Sequence, residues 1–224
     1  PGGAALCAFV LLAGAGCAPV LRNENGVRVV GDIVEGDKER RVMITTHDPS
    51  KVAQIARNDP DAEVRRTAVR EVRDPAVLRA IAETDPDPTV RVAAVERLKD
   101  KTVLIDLATD NTEPLARLAA VGRIKDQAAL AEIAMRNSDS MIRRAAVERV
   151  KSERVLYDIA MQNTEPFVRI AAASRIADQD LLTALARTNS ETQVRRAALR
   201  AVTRQEVLAD FVAHDPDREI RKAA

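Results

Sequence analysis

The chain has no tryptophan, one tyrosine and three phenylalanines, so aromatic side chains make up only 2% of its 224 residues. A base-stacking nucleic-acid platform needs rings that this composition does not supply. Eight glycines are too few for a loop-rich or β-rich domain. Two histidines and two cysteines leave no ligand cluster of metal-site spacing, and no glycine-rich phosphate loop occurs. Charge of one sign is missing too. The 35 basic and 34 acidic residues give a net +1, so a basic surface on one face must be offset by acidic residues elsewhere.

What the sequence has instead is a period. Arginine recurs every 26 residues, at Arg65, Arg91, Arg117, Arg143, Arg169, Arg195 and Arg221. Apolar, small and acidic positions keep the same register, so the recurring object is a whole supersecondary unit. Residues 74–99 show it. Asp74 is placed to cap a first helix with Pro75 at its first position, and Leu78, Ile81 and Ala82 fall on one face. Asp87 and Pro88 begin a second helix with Val90, Ala93, Ala94 and Leu98 turned inward. Only Thr84, Asp85 and Pro86 separate the two, which predicts an antiparallel pair.

In steps of 26 the core stays aliphatic, Leu78 becoming Leu104, Leu130, Leu156, Leu182 and Leu208. Ala68, Ala94, Ala120, Ala146, Ala172, Ala198 and Ala224 keep one face of every second helix small, which predicts interaxial distances near the short end of about 8–10 Å. Where the loop carries Asp61, Asp87 or Asp217, aspartate is the expected cap. Where the acid is Glu113, Glu165 or Glu191, the preceding hydroxyl of Thr112, Thr164 or Ser190 is expected to cap in its place. The fold class predicted is all-α, an α-solenoid of about seven 26-residue two-helix repeats over residues 48–224, in which each unit buries its apolar face on its neighbours.

This pattern resembles the HEAT-like repeats, in particular the short bacterial type also found in phycobilisome lyases. The resemblance rests on the Val-Arg-x-x-Ala-Ala helix and on a loop Asp or Asn six residues before each arginine: Asp59, Asp85, Asn111, Asn137, Asn163, Asn189 and Asp215. It implies that these loop residues and the arginines form a hydrogen-bonded ladder between successive repeats, and that the Val-Arg helices are the inner, concave layer. Ala116 in place of valine and Arg204 in place of an outer-helix cap depart from the pattern.

Both ends leave the register. Residues 4–16 are apolar and uncharged, too short for a roughly 30 Å hydrocarbon core but suited to the apolar region of a signal peptide. The run from Leu12 to Cys17 resembles a bacterial lipobox, which implies removal of residues 1–16, acylation of Cys17, and a lipid-anchored protein on the periplasmic face of the cell envelope. A conventionally cleaved signal, or an apolar tail without that role, are the other readings. No basic region precedes the apolar run, and Ala224 ends the chain inside an inner helix, so further residues are expected at both ends. Residues 17–47 are read as a linker or a degenerate N-terminal cap, with either a hairpin of 27–34 against 41–46 or a helix over 37–46.

No catalytic constellation is legible. His47 and His214 lie about six units apart, no nucleophile–base pair is visible, and the acids at helix starts are explained by capping. No enzyme activity, cofactor or metal is expected. The ladder arginines, repeated identically in every unit, are read as structural connectors, and Arg97, Arg123, Arg149 and Arg175 as charges that favour helix C-termini. Function is therefore sought where units differ on an outward stripe: Arg66, Arg70, Val92, Lys99, Leu118, Lys125, Arg144, Lys151, Ile170, Arg196 and Arg200. That stripe suggests a scaffold whose concave, basic and partly apolar surface holds an acidic or amphipathic protein segment. Nucleic-acid or polyanion binding, disfavoured by export and by the lack of rings, and a lyase-type accessory role are the alternatives.

Overall fold

The computed structural model describes residues 20–31, 40–110 and 113–224. Cys17 and Asn111 lie outside them. Residues 48–224 form an α-solenoid of fourteen helices among the described residues, packed as consecutive antiparallel pairs. The first helices of the pairs are α1 Pro49–Asn58, α3 Pro75–Thr84, α5 Lys101–Asp110, α7 Gln127–Arg136, α9 Glu153–Gln162, α11 Gln179–Thr188 and α13 Gln205–His214. The second helices are α2 Ala62–Val69, α4 Pro88–Arg97, α6 Pro114–Arg123, α8 Ser140–Val147, α10 Pro166–Ala173, α12 Thr192–Leu199 and α14 Arg218–Ala223.

Local chemistry sets the helix starts. The side chain of Asp74 accepts from the Ala76 N–H at 2.8 Å, that of Asp87 from the Thr89 N–H at 2.8 Å, and Pro75 and Pro88 stand where no intrahelical donor is needed. The second helices approach one another more closely than the first helices do. Ala68, Ala94, Ala120, Ala146, Ala172 and Ala198, all fully buried, permit this, whereas the first helices meet through leucine and isoleucine. A double layer that is tighter on one side must bend toward it, so α2 to α14 make the concave layer.

The N-terminal segment forms a small sheet at the start of the solenoid. β1 Val20–Glu24, β2 Val27–Gly31 and β3 Arg40–Ile44 form an antiparallel sheet in the order β1-β2-β3. The hairpin option fits β2 and β3, while the helix option over 37–46 is replaced by strand over 40–44. Asn25 and Gly26, with φ of 51° and 80°, make the tight turn between β1 and β2, a two-residue hairpin signal that the linker reading passed over. β3 packs on α2, and Val27 and Val29 join the solenoid core without exposure. The sheet thus covers the apolar end that a first repeat would otherwise show to water.

Candidate functional site

The repeated arginines run through the interior of the array. Arg65, Arg91, Arg143 and Arg169 are buried, and each reaches the loop of the following unit. Arg65 donates from Nε and Nη2 to the two carboxylate oxygens of Asp85, both at 2.9 Å. Arg117 donates to Asn137 Oδ1 at 2.8 Å, Arg169 to Asn189 Oδ1 at 2.6 Å, and Arg195 to Asp215. The loop residues also act backward. Asn137, Asn163 and Asn189 donate from Nδ2 to the carbonyls of Ala108, Ala134 and Ala160, at 3.3, 2.8 and 3.0 Å. Their Oδ1 atoms accept from the N–H two residues on, as Asp59, Asp85 and Asp215 also do. Arg22 of β1 extends the series by pairing with Asp59 at 2.8 Å, standing in for the arginine of a preceding unit.

The glutamate caps require a correction. Thr112 lies outside the described residues, but Glu165 and Glu191, like Glu113, make no side-chain bond to their own helix starts, and Thr164 accepts from Arg143 at 3.1 Å, so its hydroxyl serves the ladder rather than the cap. Each glutamate instead pairs with the ladder arginine of the unit before it: Arg91 with Glu113 at 2.7 Å, Arg143 with Glu165 at 3.3 Å, Arg169 with Glu191 at 2.6 Å. Arg117 pairs with Asp139 at 3.2 Å. Where the loop residue is aspartate it supplies the negative charge, and where it is asparagine the acid two residues later does. A guanidinium taken out of water needs one carboxylate, and either position can bring it.

The second arginine series bonds backbone. Arg97, Arg123, Arg149 and Arg175 donate to the carbonyls of Val72, Leu98, Ile124 and Val150 just beyond the inner helix of the preceding unit, at 3.5, 3.3, 3.1 and 3.1 Å. These groups are orphan acceptors of a helix end.

The outward stripe is only partly one surface. Arg66 and Arg196 are half-buried on the concave layer, Arg144 is exposed there and pairs with Glu148 at 3.5 Å, and Arg70 and Arg200 cap their helices in the open. Lys99, Lys125 and Lys151 do not lie on the helix face as the wheel placed them. α4, α6 and α8 end at Arg97, Arg123 and Val147, so these lysines occupy the edge where one unit passes to the next. Val92, Leu118 and Ile170 are half-buried rather than open to solvent, and the latter two pack against the core. Among the described residues the large exposed apolar side chains of the concave layer are three that the sequence reading missed: Leu115, Met141 and Phe167, at 54%, 57% and 79% exposure. They occupy one register position of α6, α8 and α10, 26 residues apart, and that recurrence was the available signal.

Charge differs between the layers. Arg66, Arg70, Arg73, Lys99, Lys125, Lys151, Arg196 and Arg200 have no ion-pair partner among the described residues. On the outer layer Asp106, Glu132, Asp158 and Asp210 are matched by Arg79, Arg136, Arg154 and Arg187. Among the described residues no group of three or more His, Cys, Asp or Glu could hold a metal ion, and no helix is long and apolar enough to cross a membrane. No family model, curated protein or solved structure matches the chain.

Proposed function

We propose that this protein is a non-catalytic scaffold of HEAT-like type whose concave layer holds an acidic or amphipathic segment of another protein, with Cys17 lipidated to anchor it at the periplasmic face of a bacterial envelope. The observation that supports the reading best is the unmatched charge. Among the described residues eight basic side chains on the inner layer and its edge lack ion-pair partners, against the three acids Glu63, Glu71 and Glu96 there. Asp106, Glu132, Asp158 and Asp210 of the outer layer are matched by arginines. An approaching chain therefore meets net positive potential on the inner side although the whole molecule is nearly neutral. Such a field acts mainly on association rate and is screened over roughly 8–10 Å at physiological salt.

The test reverses three exposed charges of this surface. Arg70, Arg144 and Arg200 changed together to Glu should abolish capture of protein partners from an envelope extract, with helical circular dichroism and melting unchanged. Capture of the same proteins at the same affinity by the triple variant would remove the concave surface from consideration.

A further inference from the structure

We infer that the occupant of the concave face is an extended, polyproline-II-like segment with acidic flanks, carrying an apolar residue at every third position over Leu115, Met141 and Phe167. The inference rests on the concave-surface reading above and specifies the chemistry of its ligand.

Leu115, Met141 and Phe167 are three of the five exposed large apolar side chains among the described residues, and they stand in consecutive units at one register position. Packing does not require them, because Glu63, Thr89, Gln193 and Glu219 hold the same position in the other units. The row is thus bounded, apolar in the three central units and polar to either side. Half-buried Leu118 and Ile170 lie one turn further along the same helices and widen it.

Spacing selects the conformation of what lies on it. Adjacent helices sit about 8–10 Å apart, and rows on the inside of a bend converge toward the ligand, so the repeat it meets is at or below that distance. Three residues of polyproline II advance about 9.3 Å and return to the same face, because that helix has three residues per turn. In a β-strand the third residue points to the opposite face, and the second and fourth advance about 7 and 13 Å. Two turns of α-helix advance about 10.5 Å, longer than a concave row offers.

Charge selects the flanks. Arg66 and Arg70 stand at one end of the row, lining a groove of about 310 Å³ with Val92, Leu115, Arg97 and Glu96, three basic side chains against one acidic. Arg196 and Arg200 stand at the other end, and neither they nor Arg66 and Arg70 have an ion-pair partner among the described residues. A second copy docked by the same face would bring these arginines together, so like charge opposes self-association there. A nucleic-acid strand would satisfy the arginines but not a row in which only Phe167 can stack.

The experiment uses the whole chain and three fluorescein-labelled peptides of identical composition, each with Glu-rich flanks and three leucines spaced by two, three or seven residues. Fluorescence anisotropy should show the third-residue isomer binding about tenfold more tightly, a difference of one leucine-sized apolar contact. Met141→Ser and Phe167→Ser, at exposed positions that leave melting unchanged, should erase that preference. If the second- or seventh-residue isomer binds best, if the serine variants keep the preference, or if an oligonucleotide of equal charge binds more tightly, the inference is wrong. It is equally overturned if the free chain sediments as a dimer that Phe167→Ser dissolves. Equal binding of all three isomers, lost on charge reversal at Arg70 and Arg200, defeats the spacing but leaves the concave-surface reading. No binding by any isomer, together with extract capture unaffected by charge reversal, defeats both.

Discussion

Arg65 and Arg143 hold the same position in two units and are almost equally buried, at 6% and 8% exposure, yet truncating them should differ in cost. Arg65 makes a two-pronged bond to Asp85, which is itself only 5% exposed. After Arg65→Ala, that carboxylate keeps the Asp87 N–H at 2.9 Å but has lost the cation that balanced its charge. Stranding one partner of a buried pair costs about 3–5 kcal/mol. Arg143 pairs with Glu165, whose side chain is 43% exposed, and with the Thr164 hydroxyl. Once Arg143 is removed both can return to water, so the loss falls to about 1–2 kcal/mol. Urea titrations at equal slope should therefore separate the two variants by about 2 kcal/mol. Asp85→Asn supplies the control. Asn137 serves Arg117 in the same place with Asp139 providing the charge, and Asp87 acts on Arg65 in the same way, so this change should cost within about 1 kcal/mol. Because units couple only to neighbours, faster hydrogen exchange in Arg65→Ala should be confined to α1–α4. Equal losses for the two alanine variants, or a loss in Asp85→Asn as large as in Arg65→Ala, would refute the account of charge matching.

Three further outcomes follow from single sites. Gly122 lies exposed inside α6 with no atom beyond its own helix backbone within 4 Å of where a Cβ would stand, so Gly122→Ala should stabilise by about 0.5–1 kcal/mol, read as a raised melting temperature. The Lys101 ammonium, with the N–H groups of Ala129 and Ala128, holds the Asp126 carboxyl below its ordinary value of 3.8. Folding thus releases protons at that site, and its stabilisation is complete above the ordinary value and fades as pH falls through the lowered one; Asp126→Asn should flatten the acid limb of a stability–pH curve. Metabolic labelling with a fatty-acid analogue should mark the protein and fail in Cys17→Ser, and equal labelling of both would dispose of the lipid anchor.

The sequence by itself determined the period, the pairing of helices and the helix starts. Asp74 with Pro75 and Asp87 with Pro88 act on residues two or three positions away, and a rule of that range can be read without coordinates. The small row of Ala68, Ala94 and Ala120 likewise named the tight layer, because the same neighbour recurs in every unit. Asn25-Gly26 was as local a signal, and the turn between β1 and β2 could have been read from it. What the tertiary structure alone decided lies between units. Glu113, Glu165 and Glu191 looked like weak caps, and only the packing of one unit on the next puts their carboxylates beside arginines 22 residues earlier in the chain. A helical wheel turned Val92, Leu118 and Ile170 outward without knowing what the adjacent inner helix covers. It also ran the lysine row past the ends of the helices onto the edge. Leu115, Met141 and Phe167 remain open because they sit in the first turn of their helices, where the neighbouring inner helices leave them uncovered. Exposure in a solenoid is set by that neighbour, and no residue's own sequence window contains it.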